Sequence, residues 1–157
     1  MSSRNINELL KDKRIDEIVN PRLVQGTPEM TIEEAVTKMQ ESRAGYMVIA
    51  KKRKVVGIFT ENDVLFKIMG KKVDWKQPVS EFMTKDPFVL RPQDSVGQAM
   101  DLMAEHRFYH LPLVDDKKEL AGVLSVRTLI RFLAEFYPTE VYNLPPNDQV
   151  SETAEGG

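Results

Sequence analysis

Thr60 and Asp63 stand three residues apart in Gly57-Ile-Phe-Thr-Glu-Asn-Asp63, and Ser125 and Thr128 stand three apart in Gly122-Val-Leu-Ser-Val-Arg-Thr128. A hydroxyl at a helix N-cap with a carboxylate in the first turn is equipped to hold a ribosyl phosphate. The unpaired N–H groups and positive dipole end of the helix suit the phosphate. The carboxylate accepts hydrogen bonds from two vicinal hydroxyls. The second junction keeps the cap but has Thr128 where the first has its acid. The same residues also make a plain helix cap close to the capping box, and taken alone they favour that simpler reading.

Other candidate groups are fewer. Arg43, Arg107 and Arg127 have the guanidinium forks that suit phosphates. Arg43 and Arg107 serve equally well as cations at helix C-termini. Lys51-Lys-Arg-Lys54 is an anion patch or, more simply, the solvated tip of a hairpin. His106 and His110 straddle a helix–strand transition without acidic neighbours, so a metal site is not expected. There is no cysteine, which removes disulfides, thiolate catalysis and cysteine-held metal. With no triad, paired-acid or phosphate-loop pattern, an enzyme is the last of the readings.

The elements that carry these residues come twice. Ile15 is echoed by Val79, an offset of 79 − 15 = 64, and Pro28 by Pro92 at the same offset. Thr31-x-x-Glu34 and Ser95-x-x-Gln98 are capping boxes. Behind them, Ile32, Ala35, Val36 and Met39, and Val96, Ala99, Met100 and Met103, have the i, i+3, i+4, i+7 spacing of an amphipathic helix. Each helix leads to two apolar runs around a polar turn, a hairpin signature. A second helix closes each copy, Glu61–Met69 stopped by Gly70 and Val126–Phe136 stopped before Pro138. The expected order in each copy is strand, helix, strand, strand, helix. A short helix over Ile6–Lys13, with Asn5 as a possible cap, precedes them. The divisions are 1–13 for the N-terminal helix, 14–70 and 78–137 for the copies, 71–77 for a short linker, and 138–157 for an extended, partly disordered tail. Units this small leave apolar faces bare when separate, so the copies are expected to pack together.

Composition sets the class. The 157 residues are 41% hydrophobic and 29% charged, with a net charge of −2. That is an ordinary globular mix, with no field to recruit nucleic acid or acidic lipid. No run approaches the roughly 18 apolar residues of a spanning helix, and the first residues carry no apolar leader. A cytoplasmic, soluble protein is expected.

The doubled unit, with His110-Leu-Pro-Leu-Val-Asp115 and the Gly-x-x-Thr-x-x-Asp junction, resembles a tandem pair of cystathionine β-synthase (CBS) domains, a Bateman module. The resemblance covers roughly residues 14–137. It implies an α+β pseudo-dimer of two β-α-β-β-α repeats, with two three-stranded sheets facing each other and two clefts between the copies. It implies an adenosyl ligand: AMP, ADP, ATP, S-adenosylmethionine or NAD. By this resemblance Asp63 holds the ribose and Thr60 lies by the phosphate. The adenine lies near Val24, Gly26 and Thr27 on the first strand and Tyr46 and Met47 on the hairpin. The second copy offers His110, Leu111 and Pro112 with Ser125, Arg127 and Thr128. Thr128 weakens that second cleft, and Val48, where the second copy has Pro112, is a further departure. The family also implies a homodimer through the helices after each junction, carrying Val64, Leu65, Ile68 and Met69, and Leu129, Ile130, Leu133 and Phe136. The function expected is a regulatory nucleotide sensor that signals to a partner protein. The alternative is a ligand-silent dimerisation module.

Overall fold

The capping boxes start two helices of matched length. In the computed structural model, which describes residues 6–136, Thr31 Oγ1 accepts from Glu34 N at 3.1 Å and Glu34 Oε2 from Thr31 N at 3.2 Å, opening α2 (Ile32–Ser42). Ser95 and Gln98 do the same at 3.1 and 2.9 Å for α4 (Val96–His106). Both helices end on an arginine in the left-handed conformation, Arg43 at φ 51° and Arg107 at φ 55°. The chain turns there into β2 (Tyr46–Lys51) and β5 (His110–Val114). These pair antiparallel with β3 (Lys54–Thr60) and β6 (Leu120–Ser125). The closing helices follow without a break. α5 is Val126–Phe136. α3 (Glu61–Asp63) widens into a π turn over Val64–Ile68, closed by Met69 N–H on the Val64 carbonyl at 2.8 Å. α1 (Ile6–Asp12), β1 (Gln25–Gly26), β4 (Thr84–Lys85) and short 3₁₀ turns at Ile15–Glu17 and Val79–Glu81 complete the described chain. Asn5 and the tail 138–157 lie outside the described residues.

The strands form a four-stranded sheet, β1-β2-β3-β4, and a two-stranded sheet, β5-β6, rather than the two three-stranded sheets expected. A proline accounts for the difference. In the first copy Val48 N–H donates to the Val24 carbonyl at 2.9 Å, and β1 runs parallel to β2. The second copy has Pro112 in that place, with no N–H to give. Pairing there shrinks to one parallel bridge, Leu90 to Leu113. The segment just before it, β4, pairs with Gly57 and Ile58 on the open edge of β3 instead.

The two copies also exchange their opening turns. Ile15 is fully buried in the second core with Val96, Met103, Leu111 and Leu124. Val79 is fully buried in the first core with Ile32, Met47, Phe59 and Ile68. Matching backbone bonds hold them: Ile15 N to Asp94 O at 2.9 Å, and Val79 N to Met30 O at 2.7 Å. The hairpin tips meet as well. Leu120 N donates to Arg53 O at 2.8 Å, and Arg53 pairs with Glu119 at 3.8 Å. The basic turn Lys51–Lys54 is exposed, as a hairpin tip, but it also braces one copy on the other.

Candidate functional site

The exchange decides which residues face each other between the copies. A cavity of about 430 Å³ is walled by Thr60 and Asp63 of the first copy and by Thr84, Phe88, Arg107 and Tyr109 of the second. Asp63, only 6% exposed, is the one buried charged residue among those described. Its Oδ2 accepts from Thr60 N at 2.9 Å and from Thr60 Oγ1 at 3.3 Å. Its Oδ1 pairs with Lys67 Nζ at 2.8 Å, and that ammonium also donates to the Phe82 carbonyl. The cap is therefore real. It does not exhaust the carboxylate, whose two oxygens offer about four lone-pair directions. Lys67 is 43% exposed on its side chain, so its ammonium can turn to solvent when a ligand hydroxyl takes its place.

Opposite Asp63 stands an aromatic wall. Phe88 stacks on His106 with centroids 4.1 Å apart and on Phe108 at 5.9 Å. Phe88 is 49% and Tyr109 58% exposed, and exposed aromatic surface at a cavity is a signature of binding. Sequence reasoning missed these residues. Their first-copy counterparts at the 64-residue offset are Val24, Ala44 and Gly45, and this small-to-aromatic change was the available signal.

The second cleft, about 200 Å³, contains Tyr46, Ser125 and Thr128 with Arg22, Arg43, Arg127 and Arg131. Ser125 Oγ accepts from Thr128 N at 3.2 Å and lies 3.1 Å from Thr128 Oγ1. The expected grouping of Val24, Gly26, Thr27, Tyr46 and Met47 with Asp63 is thus corrected. Tyr46 lines the other cleft. Val24, Gly26 and Met47 are buried, and a Cβ on Gly26 would stand 2.5 Å from Met47 Sδ. Thr27 is exposed, and Leu111 and Pro112 are buried in β5. None of Val24, Gly26, Thr27, Met47, Leu111 and Pro112 walls either cavity. Each junction faces the other copy's opening strand because the opening segments have crossed over.

His110 lines both clefts. It packs against Tyr46, its counterpart at the 64-residue offset, with centroids 4.8 Å apart and the rings tilted by 32°. The Tyr46 hydroxyl accepts from Val24 N at 3.3 Å and donates to Arg22 O at 3.4 Å.

A family model for the CBS domain matches residues 15–70 and 79–135. The chain belongs to the CBS domain family. An uncharacterized 17.7 kDa protein of Acidianus ambivalens is 31% identical over 125 residues, 79% of this chain and 75% of that one. The inosine-5′-monophosphate dehydrogenase of Methanocaldococcus jannaschii is 30% identical over 128 residues, 80% of this chain but 25% of the dehydrogenase. The likeness therefore reaches only a quarter of that enzyme. The solved structure of a CBS domain protein from Pyrobaculum aerophilum complexed with AMP superposes with a TM-score of 0.70 at 27% identity, covering 74% of this chain and 89% of that one.

The shared wall of the CBS pair makes it acid-sensitive. Burial lowers the His110 pKa from 6.5 to about 4. The unfolded chain takes up a proton as pH falls below 6.5 while the folded chain does not, so stability is full above that pH and is lost between 6.5 and 4. The loss reaches about 3 kcal/mol. Urea midpoints measured across that range should fall with pH, and His110→Phe, which keeps an aromatic ring against Tyr46, should flatten the curve. An unchanged slope in the variant would remove His110 from this role.

Proposed function

We propose that this CBS pair is a cytoplasmic regulatory module that binds an adenosine nucleotide in the first cleft and passes its occupancy to a partner protein. The observation that carries the reading is Asp63, a buried carboxylate across a 430 Å³ cavity from exposed aromatic rings. The acid holds the ribose diol in place of Lys67, and the base stacks on the ring of Phe88. The AMP held by the Pyrobaculum aerophilum relative supports the same ligand class, in which ADP, ATP, S-adenosylmethionine and NAD share the adenosyl group. A ligand shifts a conformational equilibrium only through unequal affinity for its states. Here the interlocked opening turns ensure that movement at the cleft involves both copies. Thermal melts with AMP, ATP, S-adenosylmethionine and NAD test the reading. A ligand at 100 times its dissociation constant adds about 2.7 kcal/mol, or roughly 5–10 °C for a chain of this size. No shift with any of the four would instead favour the ligand-silent assembly module.

The outer helices support a homodimer. Matching apolar grooves run beside α3 and α5, one past Val36, Val64, Leu65 and Met69, the other past Met100, Leu129, Ile130 and Leu133. Leu65 is 57%, Met69 55% and Ile130 61% exposed, as is Phe66. Ile68, expected on this face, is instead buried in the first core; Leu129 forms the floor of its groove and belongs to the second core, and the side chain of Phe136 lies outside the described residues. Light scattering at micromolar concentration should give twice the chain mass. Leu65→Lys with Ile130→Glu should give one chain mass with the melt otherwise preserved, since neither side chain belongs to a core. A monomer in the unaltered protein would overturn the assignment.

A further inference from the structure

The second cleft differs from the first in charge as well as in size. Four arginines line it, Arg22, Arg43, Arg127 and Arg131, and no carboxylate does. The first cleft has Glu61 and Asp63 against a single arginine, Arg107. Only Arg43 has an arginine counterpart in the other copy. Asp86, Asn62 and Phe66 occupy the places matching Arg22, Arg127 and Arg131, so the cluster is not a by-product of the repeat. Among the described residues none of the four makes an ion pair, although the chain as a whole is acidic.

Several features hold these charges together. The Tyr46 hydroxyl bonds the Arg22 carbonyl. Arg43 is the left-handed cap of α2. Arg127 and Arg131 are four apart on α5, on one helix face. Like charges at that spacing repel and destabilise a helix. Such a cluster becomes favourable when a multivalent anion neutralises it, because guanidinium forks bind phosphoryl oxygens bidentately. Ser125 and Thr128 add hydroxyl donors at the start of an eleven-residue helix, whose dipole has the same sign.

The cavity volume narrows the ligand. Sites for drug-sized organic molecules run about 300–1,000 Å³. The first cleft falls within that range, and the second, at about 200 Å³, does not. Its aromatic residues, Tyr46 and His110, pack against each other, and Tyr46 is only 8% exposed, so the second cleft presents no exposed ring like Phe88 or Tyr109 of the first. We propose that the second cleft is a polyphosphate site that takes a chain of two or three phosphoryl groups, inorganic or carried by a nucleotide, and that it requires neither base nor ribose for anchorage. The proposal is independent of what the first cleft binds.

Calorimetric titration with sodium triphosphate, pyrophosphate and orthophosphate tests it. Triphosphate should bind once per chain, pyrophosphate more weakly and orthophosphate weakest, each declining as salt rises. Asp63→Ala should leave triphosphate binding unchanged. Arg127→Gln with Arg131→Gln should weaken it by about tenfold or more for each guanidinium removed. Both side chains are exposed, so the double variant should melt no lower than the parent, and a melt run alongside verifies that it is folded. ATP added to Asp63→Ala separates the sources. Affinity equal to triphosphate shows that a nucleotide's phosphate chain enters, and failure of ATP where triphosphate binds shows that the inorganic chain is the ligand. No triphosphate binding, binding retained in the arginine variant, or binding lost in Asp63→Ala would each overturn the proposal.

Discussion

Neither copy is expected to fold when it is cut out along the repeat. A fragment of residues 14–70 keeps Ile15, which belongs to the second core, and lacks Val79, which closes the first. It also lacks β4, leaving the edge of β3 unpaired, and a bare edge invites aggregation. A fragment of residues 24–86 contains β1, α2, β2, β3, the 3₁₀ turn at Val79 and β4, which is the set that packs as one unit. Circular dichroism melts should show a cooperative transition for 24–86 and none for 14–70. In the full chain Ile15→Ala should cost about 2–5 kcal/mol. Val79→Ala should cost somewhat less, since the smaller side chain leaves a smaller cavity. Both changes should lower a single urea transition, because each removes a contact across the copies. A cooperatively folded 14–70 fragment would show that the exchanged turns are ornamental.

The second large effect lies in the first cleft. Asp63→Ala removes the only carboxylate buried there, and adenosine affinity should fall at least tenfold, since hydrogen bonds to a charged group are worth about 1.5–3 kcal/mol. The fold should survive, since a lost cap costs about 1 kcal/mol and Lys67, half-exposed, is hydrated once its partner is removed. Asp63→Asn keeps an acceptor for Thr60 N–H while losing the charge, so it should restore stability without restoring binding. Phe88→Ala makes the complementary change. Base–aromatic stacking contributes about 1–3 kcal/mol, so adenosine should weaken while ribose 5-phosphate does not. Full adenosine affinity in Asp63→Ala would mean that the ligand is held elsewhere.

The sequence displayed the doubled unit well because its signals are local. Two capping boxes, two apolar helix faces and two hairpins stand at nearly constant offset, and all of them form. The unequal clefts were also legible, since Thr128 replaces an acid at a position the repeat defines. The pairing of residues across the clefts was not. Which opening strand faces Asp63 depends on where Ile15 and Val79 are buried, and burial across copies leaves no periodic mark on either. The loss of the third strand in the second sheet was readable in principle from Pro112 and its missing N–H. Its consequence, that Phe88 stays unpaired with Val48's counterpart and exposed at the cavity, required the sheet register. The arginine cluster was hidden for a similar reason: Arg22, Arg43 and Arg127 are far apart in the chain and meet only through the fold.

The most direct test of the nucleotide reading is the stoichiometry of AMP binding, measured by calorimetric titration of the unaltered protein and of Asp63→Ala. The expected result is one strong site per chain in the first and none of comparable strength in the second. Two equal sites per chain, or an equally strong site in Asp63→Ala, would contradict it.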